Sequence, residues 1–136
     1  MNKEIQNGYM LLFRGTDWHK GLSAEEMQKV AGQWMDWFKK LSEQGKVSAG
    51  HPLEAEGKIV SGKGGRMVAD GPFAESKEAI GGYFLLQVDR LDEALAIAKE
   101  CPGLAYGATV EVRPVRAECP MMREAQSEPQ LASATA

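Results

Sequence analysis

DGPFAESKEAIGGYFLLQV, residues 70–88, holds a turn, a short polar segment and the most apolar strand of the chain in one continuous run. Asp-Gly-Pro at 70–72 favours a turn, because glycine tolerates a positive φ, proline fixes its own φ, and aspartate accepts a hydrogen bond from a nearby backbone N–H. The apolar run from Tyr83 to Val88 predicts a buried strand. The other predicted elements can be arranged around this strand.

The length and charge of the chain limit the possible classes of protein. The 136 residues suffice for one domain with one core. We expect that domain at residues 1–116 and a mostly disordered tail at 117–136, where Ala, Ser, Glu, Gln and Thr dominate without a period. The formal net charge of -3 argues against a nucleic-acid-binding surface. Because no apolar run is long enough to cross a bilayer and no signal peptide precedes the first strand, we expect a cytoplasmic protein without a membrane partner.

Four main strands and two helices are predicted from the spacing of apolar side chains. The first helix has the clearest signal: Ser23 can cap the backbone of Glu26, the Glu26 side chain can reach back to Ser23, and Gly45 can end the helix. A glycine-rich turn between two short strands predicts an inserted β-hairpin rather than a phosphate-binding loop, since no helix follows it. The predicted elements are strands at 9–14, 83–88 and 108–115, an edge segment at 46–53, hairpin strands at 58–61 and 66–69, and helices at 24–44 and 91–101.

With the hairpin set aside, this order is the β-α-β-β-α-β arrangement of a ferredoxin-like α+β fold. Both helices then cover one face of a four-stranded antiparallel sheet. The two central strands are apolar on both faces, so the uncovered face would expose a large apolar patch. We expect a second copy to cover it sheet against sheet, as a C2 homodimer with a dimeric α/β-barrel-like assembly. The alternative cover is the chain's own hairpin, folded over the sheet.

Three residues are candidates for proton transfer: Asp70, His51 and His19. Asp70 could act as a general base or hold a ligand hydroxyl, but an aspartate before Gly-Pro is more often a turn residue. His51 could face a cleft and work near neutral pH, although a half-exposed strand histidine is the commoner outcome. His19 lies in a loop that either covers a pocket or packs against the first helix.

Four residues are candidates for ligand binding: Arg113, Lys77, Trp18 and Arg14. Arg113 shares a strand face with Glu111, so it either binds a carboxylate or pairs with that neighbour. Lys77 is most simply part of a solvated polar turn, and Trp18 belongs to the same loop as His19. Two isolated histidines and two distant cysteines form no metal-ligand pattern, so we expect neither a metal nor a cofactor.

Four blocks of the sequence resemble the YCII-related family, in its DGPF subgroup of small bacterial proteins. They are DGPFAESKE at 70–78, GGY at 81–83, LDEA at 91–94 and VEVRPV at 110–115. The resemblance spans roughly residues 9–115 and implies a ferredoxin-like α+β fold that is usually dimeric. Most of the family has no assigned activity. Some relatives are thought to be enzymes with a His-Asp pair, one of them a dehydrochlorinase, and DGPF proteins are often encoded beside alternative sigma factors.

The resemblance transfers few functional residues. Asp70 matches the aspartate of the family motif, but the enzyme-like relatives carry their histidine at the start of the first helix, where this chain reads SAEEMQK at 23–29. One hypothesis is a cofactor-independent lyase, isomerase or dehalogenase acting on a small acid, with Asp70 and His51 or His19 moving protons. The alternative is a non-catalytic dimeric ligand-binding or regulatory protein that associates with a sigma factor.

Overall fold

The computed structural model describes residues 6–72, 79–116 and 119–127. Six strands and three helices follow one another along these residues. They are β1 (Gln6–Arg14), α1 (Ala24–Glu43), β2 (Val47–Pro52), β3 (Lys58–Ser61), β4 (Met67–Asp70), β5 (Ile80–Leu86), α2 (Leu91–Ala98), β6 (Thr109–Arg116) and α3 (Pro120–Ser127). A 3-10 turn at Lys63–Gly65 joins β3 to β4, and another at Pro102–Tyr106 follows α2.

The main sheet has four antiparallel strands in the order β2-β5-β1-β6. β5 and β1 occupy the centre, and β2 lies at an edge, as predicted. With α1 and α2 this sheet makes a mixed α+β fold that is compatible with a ferredoxin-like arrangement. The prediction of an α+β fold with a four-stranded antiparallel sheet and two helices is therefore confirmed.

Local signals at both ends of α1 explain why it forms where the sequence predicts it. The Glu26 backbone N–H donates to Ser23 Oγ at 3.1 Å, and the Ser23 backbone N–H donates to Glu26 Oε1 at 2.9 Å. This reciprocal capping satisfies two donors that the first helical turn would otherwise leave without acceptors. After the helix, Gly45 has a φ of 72°, which is the left-handed conformation expected of a residue that ends a helix.

The core lies between the helices and one face of the sheet. Leu11 and Leu86 from the central strands are completely buried, and Leu41 from α1 is nearly so. Aromatic rings fill the space between them: the ring centroid of Phe13 lies 4.8 Å from that of Trp34 and 5.0 Å from that of Phe84, both in edge-to-face contact. On α1, Trp37 is part of this core, and Trp34 and Phe38 pack against it.

The other face of the sheet carries the second set of apolar side chains from the central strands. Met10 pairs with Leu85 and Leu12 pairs with Tyr83 across β1 and β5. These four side chains alternate with the buried set, so they point away from α1 and α2, and they are only half-buried. We call this surface the open sheet face.

The β3–β4 hairpin forms a separate two-stranded sheet. Every residue from His51 to Asp70 is exposed, including the large apolar side chains of Ile59, Val60, Met67 and Val68. If the hairpin were folded over the sheet of its own chain, one of its faces would be buried. The structure therefore does not support the alternative in which the hairpin covers the open sheet face of its own chain.

The segment predicted to be a disordered tail contains α3 at Pro120–Ser127, a helix that was not predicted from the sequence. Proline is favoured at a first helical position, and Met, Arg, Glu, Ala and Gln are good helix formers. Residues 117–118 and 128–136 lie outside the described residues. Among the helices that the structure describes, none has the length and apolar character of a membrane span.

Candidate functional site

The structure distributes the residues predicted from the sequence among three places. Arg14, His51 and Arg113 lie on strands whose alternation directs them to the open sheet face. Trp18 and His19 lie in the loop before α1, and Asp70 lies at the end of the hairpin. Lys77 falls outside the described residues, so its predicted role stays a prediction.

A row of four side chains crosses the open sheet face from edge to edge. His51 on β2 is opposite Tyr83 on β5, Tyr83 is opposite Leu12 on β1, and Leu12 is opposite Glu111 on β6. The ring centroids of His51 and Tyr83 are 5.8 Å apart. The row thus runs from an imidazole through an aromatic ring and an aliphatic side chain to a carboxylate.

Two guanidinium groups flank the carboxylate end of this row. Arg14 Nη1 donates to Glu111 Oε1 at 2.6 Å, and both side chains are about one-third exposed (34%). Arg113 Nη1 lies 3.8 Å from Glu111 Oε2, which is too long for a hydrogen bond, and its side chain is 67% exposed. Glu111 therefore pairs mainly with Arg14 rather than with Arg113, the partner considered from the sequence.

The loop before α1 packs on the helix side of the molecule. The Trp18 ring stacks between those of Trp34 and Tyr106, with centroid distances of 6.4 and 6.2 Å and interplanar angles of 27° and 26°. His19 lies edge-on to Trp18 at 5.4 Å and is half-buried. Of the two roles considered for this loop, these contacts favour packing over a lid.

Asp70 forms an ion pair on the hairpin. Its carboxylate accepts a hydrogen bond from Lys58 Nζ, and the two residues are directly opposite in the β3–β4 register. The Asp70 side chain is 75% exposed. The next residue, Gly71, donates its N–H to the Gly57 carbonyl at 3.1 Å and closes the base of the hairpin. Both contacts hold the hairpin together. The partner of the Asp70 carboxylate is Lys58, whereas the predicted proton-transfer role would pair it with a histidine.

An open groove of about 530 Å³ lies between α1 and the turn that follows α2. Its lining comprises Gln33, Asp36, Trp37, Lys40, Glu100, Cys101, Pro102 and Ala105. Burial raises the pKa of the Cys101 thiol, which disfavours the thiolate form that a nucleophile needs. None of the predicted site residues that the structure describes lines this groove.

The side chains that commonly bind metal ions lie apart from one another in the described ranges. These ranges contain no group of three or more His, Cys, Asp or Glu side chains that could hold a metal ion.

Sequence reasoning missed Tyr83 as a functional candidate. We interpreted the run from Tyr83 to Val88 as buried, whereas alternate residues of β5 face the open side. The pairing of Arg14 with Glu111 was also missed, because the two residues are diagonal neighbours on adjacent strands and their contact depends on register. The available signal was the period-2 alternation of β6, which already places Glu111 and Arg113 together.

Comparison with known proteins identifies similar chains. Residues 9–118 match the model of the YCII-related domain, and this range includes both core helices, three strands of the main sheet and β1 from Tyr9 onward. An uncharacterized protein of Rhizobium meliloti (strain 1021) is 34% identical over 97 residues, which are 68% of this chain and 78% of that protein.

Proposed function

This chain belongs to the YCII-related domain family, and from that premise we propose that it is a homodimer that binds a small organic acid on the open sheet face. The observation that carries the proposal is the strand register, which gathers Arg14, His51, Tyr83, Glu111 and Arg113 on the one sheet face that α1 and α2 leave uncovered. We further propose the DGPF subgroup, since residues 70–73 read Asp-Gly-Pro-Phe.

The homodimer is supported by the apolar centre of the open sheet face. Met10, Leu12, Tyr83 and Leu85 form two adjacent cross-strand pairs there, each half-buried. A contiguous apolar surface of this kind is a marker of an interaction site on a soluble protein. A two-fold axis would pair this surface with itself and bring two sets of the same polar residues to one interface.

Acid binding is supported by the guanidinium of Arg113. Among the described residues, the contact given to this group is the long one to Glu111, and most of its surface is in solvent. Its planar donors match the two oxygens of a carboxylate, and a bidentate pair of this kind is stronger than a neutral hydrogen bond. Tyr83 and Leu12 would supply apolar contact for the rest of a small aliphatic or aromatic acid.

His51 is the proposed proton-transfer group. Histidine is the side chain that most readily takes up and releases a proton near neutral pH, and His51 is exposed on the same row as Tyr83. In a cofactor-independent lyase or isomerase, the imidazole would remove a proton from a carbon of the bound acid that lies beside its carbonyl group. The resulting electron pair would expel a leaving group, or the proton would return to another carbon.

The non-catalytic alternative also has an observation in its favour. Asp70 is engaged with Lys58 on the hairpin, and the contact that the described residues give to the His51 imidazole is the ring of Tyr83. A single chain therefore supplies no carboxylate, among its described residues, to orient the imidazole. A ligand-binding or regulatory protein, including a partner of a sigma factor, needs no such pair.

Binding can be tested with benzoate as the probe and two arginine variants on the same strand. We expect Arg113→Ala to weaken benzoate binding by about 10-fold or more, because a charge-assisted bidentate contact is lost. Arg116→Ala is the matched control, since Arg116 alternates to the other face of β6. Calorimetric titration measures both. Equal affinity for benzoate in the wild type and in Arg113→Ala would contradict the proposed site.

The catalytic part can be tested separately by hydrogen–deuterium exchange at the methyl group of pyruvate, followed by proton NMR. An enzyme that removes a proton from the carbon beside the carbonyl group of an acid such as pyruvate should accelerate this exchange, and His51→Asn should abolish the acceleration while leaving benzoate binding intact. Acid binding without any exchange that depends on His51 would favour the non-catalytic alternative.

A further inference from the structure

The two side chains that the proposed function assigns to one acid lie at opposite edges of the open sheet face. His51 is on β2 and Arg113 is on β6, with β5 and β1 between them. Neighbouring strands are about 4.8 Å apart, so three strand spacings separate the two backbones by about 14 Å. Arg113 also lies one row further along the strands, since it is opposite Met10 on β1, whereas the row that begins at His51 crosses β1 at Leu12.

This separation is too large for one small acid bound to a single chain. Side chains on one face of a sheet stand nearly perpendicular to it, so His51 and Arg113 of the same chain point in the same direction rather than towards each other. Tyr83 and Leu12 occupy the row between the two edges. A small acid whose carboxylate is held by Arg113 would therefore be out of reach of the His51 imidazole of that chain.

The direction of the two-fold axis decides which residues of two copies face each other. Two sheets that pack face to face with their strands aligned can be related by an axis across the strands or by an axis parallel to them. An axis across the strands places β2 on the partner's β2 and β6 on the partner's β6, so the imidazole and the guanidinium stay a sheet's width apart. An axis parallel to the strands, between β5 and β1, reverses the strand order and places the partner's β2 over β6.

We propose that the axis is parallel to the strands and that each acid site is shared, with Arg113 of one chain and the partner's His51 contacting the same acid. This rotation changes no residue's height along the strands, so the row from His51 to Glu111 lies over its own reversed copy. The partner's His51 then faces Glu111 across the spacing of about 10 Å at which the side chains of packed sheets interdigitate. Arg113 lies beside Glu111 on the same face of β6, one row from that imidazole.

Charge and packing both fit this axis. The partner's His51, an N–H donor, would face the Glu111 carboxylate, whereas an axis across the strands through this row would set Glu111 against its own copy. The apolar pairs on β1 and β5 would pack on the same pairs of the partner. The dimer contact therefore lies on the two central strands. The two acid sites lie at the edges, where β6 meets the partner's β2, each beside Leu12 of one chain and the partner's Tyr83.

A crosslinking test measures the axis without using activity or acid binding. The inference rests on the homodimer and the acid site of the proposed function, and this test separates its failure from theirs. In a Cys119→Ser background, His51→Cys and Glu111→Cys are introduced separately and together, and the protein is treated with a bis-maleimide that is shorter than the sheet is wide. Cys101 is buried, and the background protein controls for its reaction. We expect covalent dimers from the double variant and not from either single variant.

The other crosslinking results would each contradict part of the account. Covalent dimers from a single variant would indicate the axis across the strands and overturn the inference. A protein that sediments as a dimer but gives no covalent dimers in the double variant would overturn it as well. A monomer would contradict the homodimer of the proposed function, and the inference with it.

Mixed dimers show which chain supplies each residue of the site. A wild-type chain and an Arg113→Ala chain carry different affinity tags, and histidine labelled with carbon-13 is placed in one chain at a time. If the sites are shared, benzoate shifts the His51 imidazole signal of the Arg113→Ala chain, because the partner's Arg113 completes that site. The His51 signal of the wild-type chain in the same dimer stays unchanged. His19, which lies against Trp18 on the helix side, is the internal control.

This measurement gives opposite results for the two possible sites. A shift of the wild-type chain's His51 instead would place both residues on one chain and overturn the shared site. A wild-type dimer that binds benzoate without any shift of His51 would also overturn it. A wild-type dimer that does not bind benzoate by calorimetry would contradict the acid site of the proposed function, and the inference with it.

Discussion

At the scale of single residues, Gly81 shows why glycine is needed where the apolar strand β5 begins. A Cβ atom at this position would lie 2.8 Å from the carbonyl oxygen of Gly15, closer than side chains tolerate. The Gly15 N–H donates to the Ala79 carbonyl at 2.8 Å, so the end of β1 is fixed beside the start of β5. The clash would be between this Cβ and a backbone oxygen. Neither backbone segment can shift without breaking the hydrogen bonds between β1 and β5.

Gly81→Ala should therefore destabilise the fold by about 1–3 kcal/mol, the usual cost of overpacking. Gly32→Ala is the matched control, because Gly32 lies inside α1 and a methyl group there would meet nothing within 4 Å outside its own helix. The control should gain up to about 1 kcal/mol from better helix propensity. Urea unfolding of the three proteins measures both changes, and a Gly81→Ala protein as stable as the wild type would contradict the account of this position.

The candidate site residues were predictable by type but not by location. His51, Arg14 and Arg113 stand out as polar residues within apolar strands, yet the face they share follows from cross-strand register, which no local spacing specifies. Asp70 shows the opposite case. Its partner Lys58 could have been found by counting outward from the glycine-rich turn, because hairpin register is fixed by the turn.

At the scale of elements, the start of α2 is held by a clamp between two side chains. Arg90 Nε donates to Asp92 Oδ1 at 3.0 Å, and Arg90 Nη2 donates to Asp92 Oδ2 at 2.7 Å. These hydrogen bonds lower the pKa of the Asp92 carboxyl and raise the pKa of Arg90. Asp92 also lies in the first turn of the helix, where a negative charge is favoured.

This clamp predicts a small pH-dependent contribution to stability. Because the pKa of Asp92 is lower in the folded state, its contribution is present above the ordinary carboxyl pKa of 3.8 and is lost as the pH falls through the folded-state value. Asp92→Asn should therefore unfold at a slightly lower temperature than the wild type at pH 7. The difference should disappear on acidification below the ordinary carboxyl pKa.

Thermal unfolding followed by circular dichroism between neutral and acid pH makes this comparison, with Asp36→Asn as a control that removes a charge from an exposed position of α1. A difference between Asp92→Asn and the wild type that persisted unchanged in acid would rule out the clamp as its source.

Most elements could be predicted because their signals are local. Reciprocal capping specifies the start of α1, alternation specifies β6, and a glycine-rich turn specifies the hairpin. α3 was missed because its sequence has helix propensity without the long apolar stripe on which the other two helices were identified. Propensity alone is a weak signal unless packing supports it.

At the scale of the whole molecule, the arrangement of layers accounts for the main features of the protein. The order of strands and helices predicts a four-stranded sheet with both helices on one face, and the observed order β2-β5-β1-β6 agrees with it. The family match over residues 9–118 confirms the family that the four sequence blocks resemble. The position of the β3–β4 hairpin relative to the main sheet could not be predicted from the sequence. That position depends on contacts between residues far apart in the chain, which local sequence signals do not specify.

The central claim is that a second copy of the chain covers the open sheet face. Sedimentation equilibrium at micromolar concentration tests it with the wild type, with Leu85→Lys on that face, and with Leu95→Lys as a control on α2, where the leucine is 40% exposed. We expect the mass of two chains for the wild type and the control, and a shift towards one chain for Leu85→Lys, whose charge would be buried at the interface. A wild-type protein with the mass of one chain throughout this range, indistinguishable from Leu85→Lys, would contradict the claim.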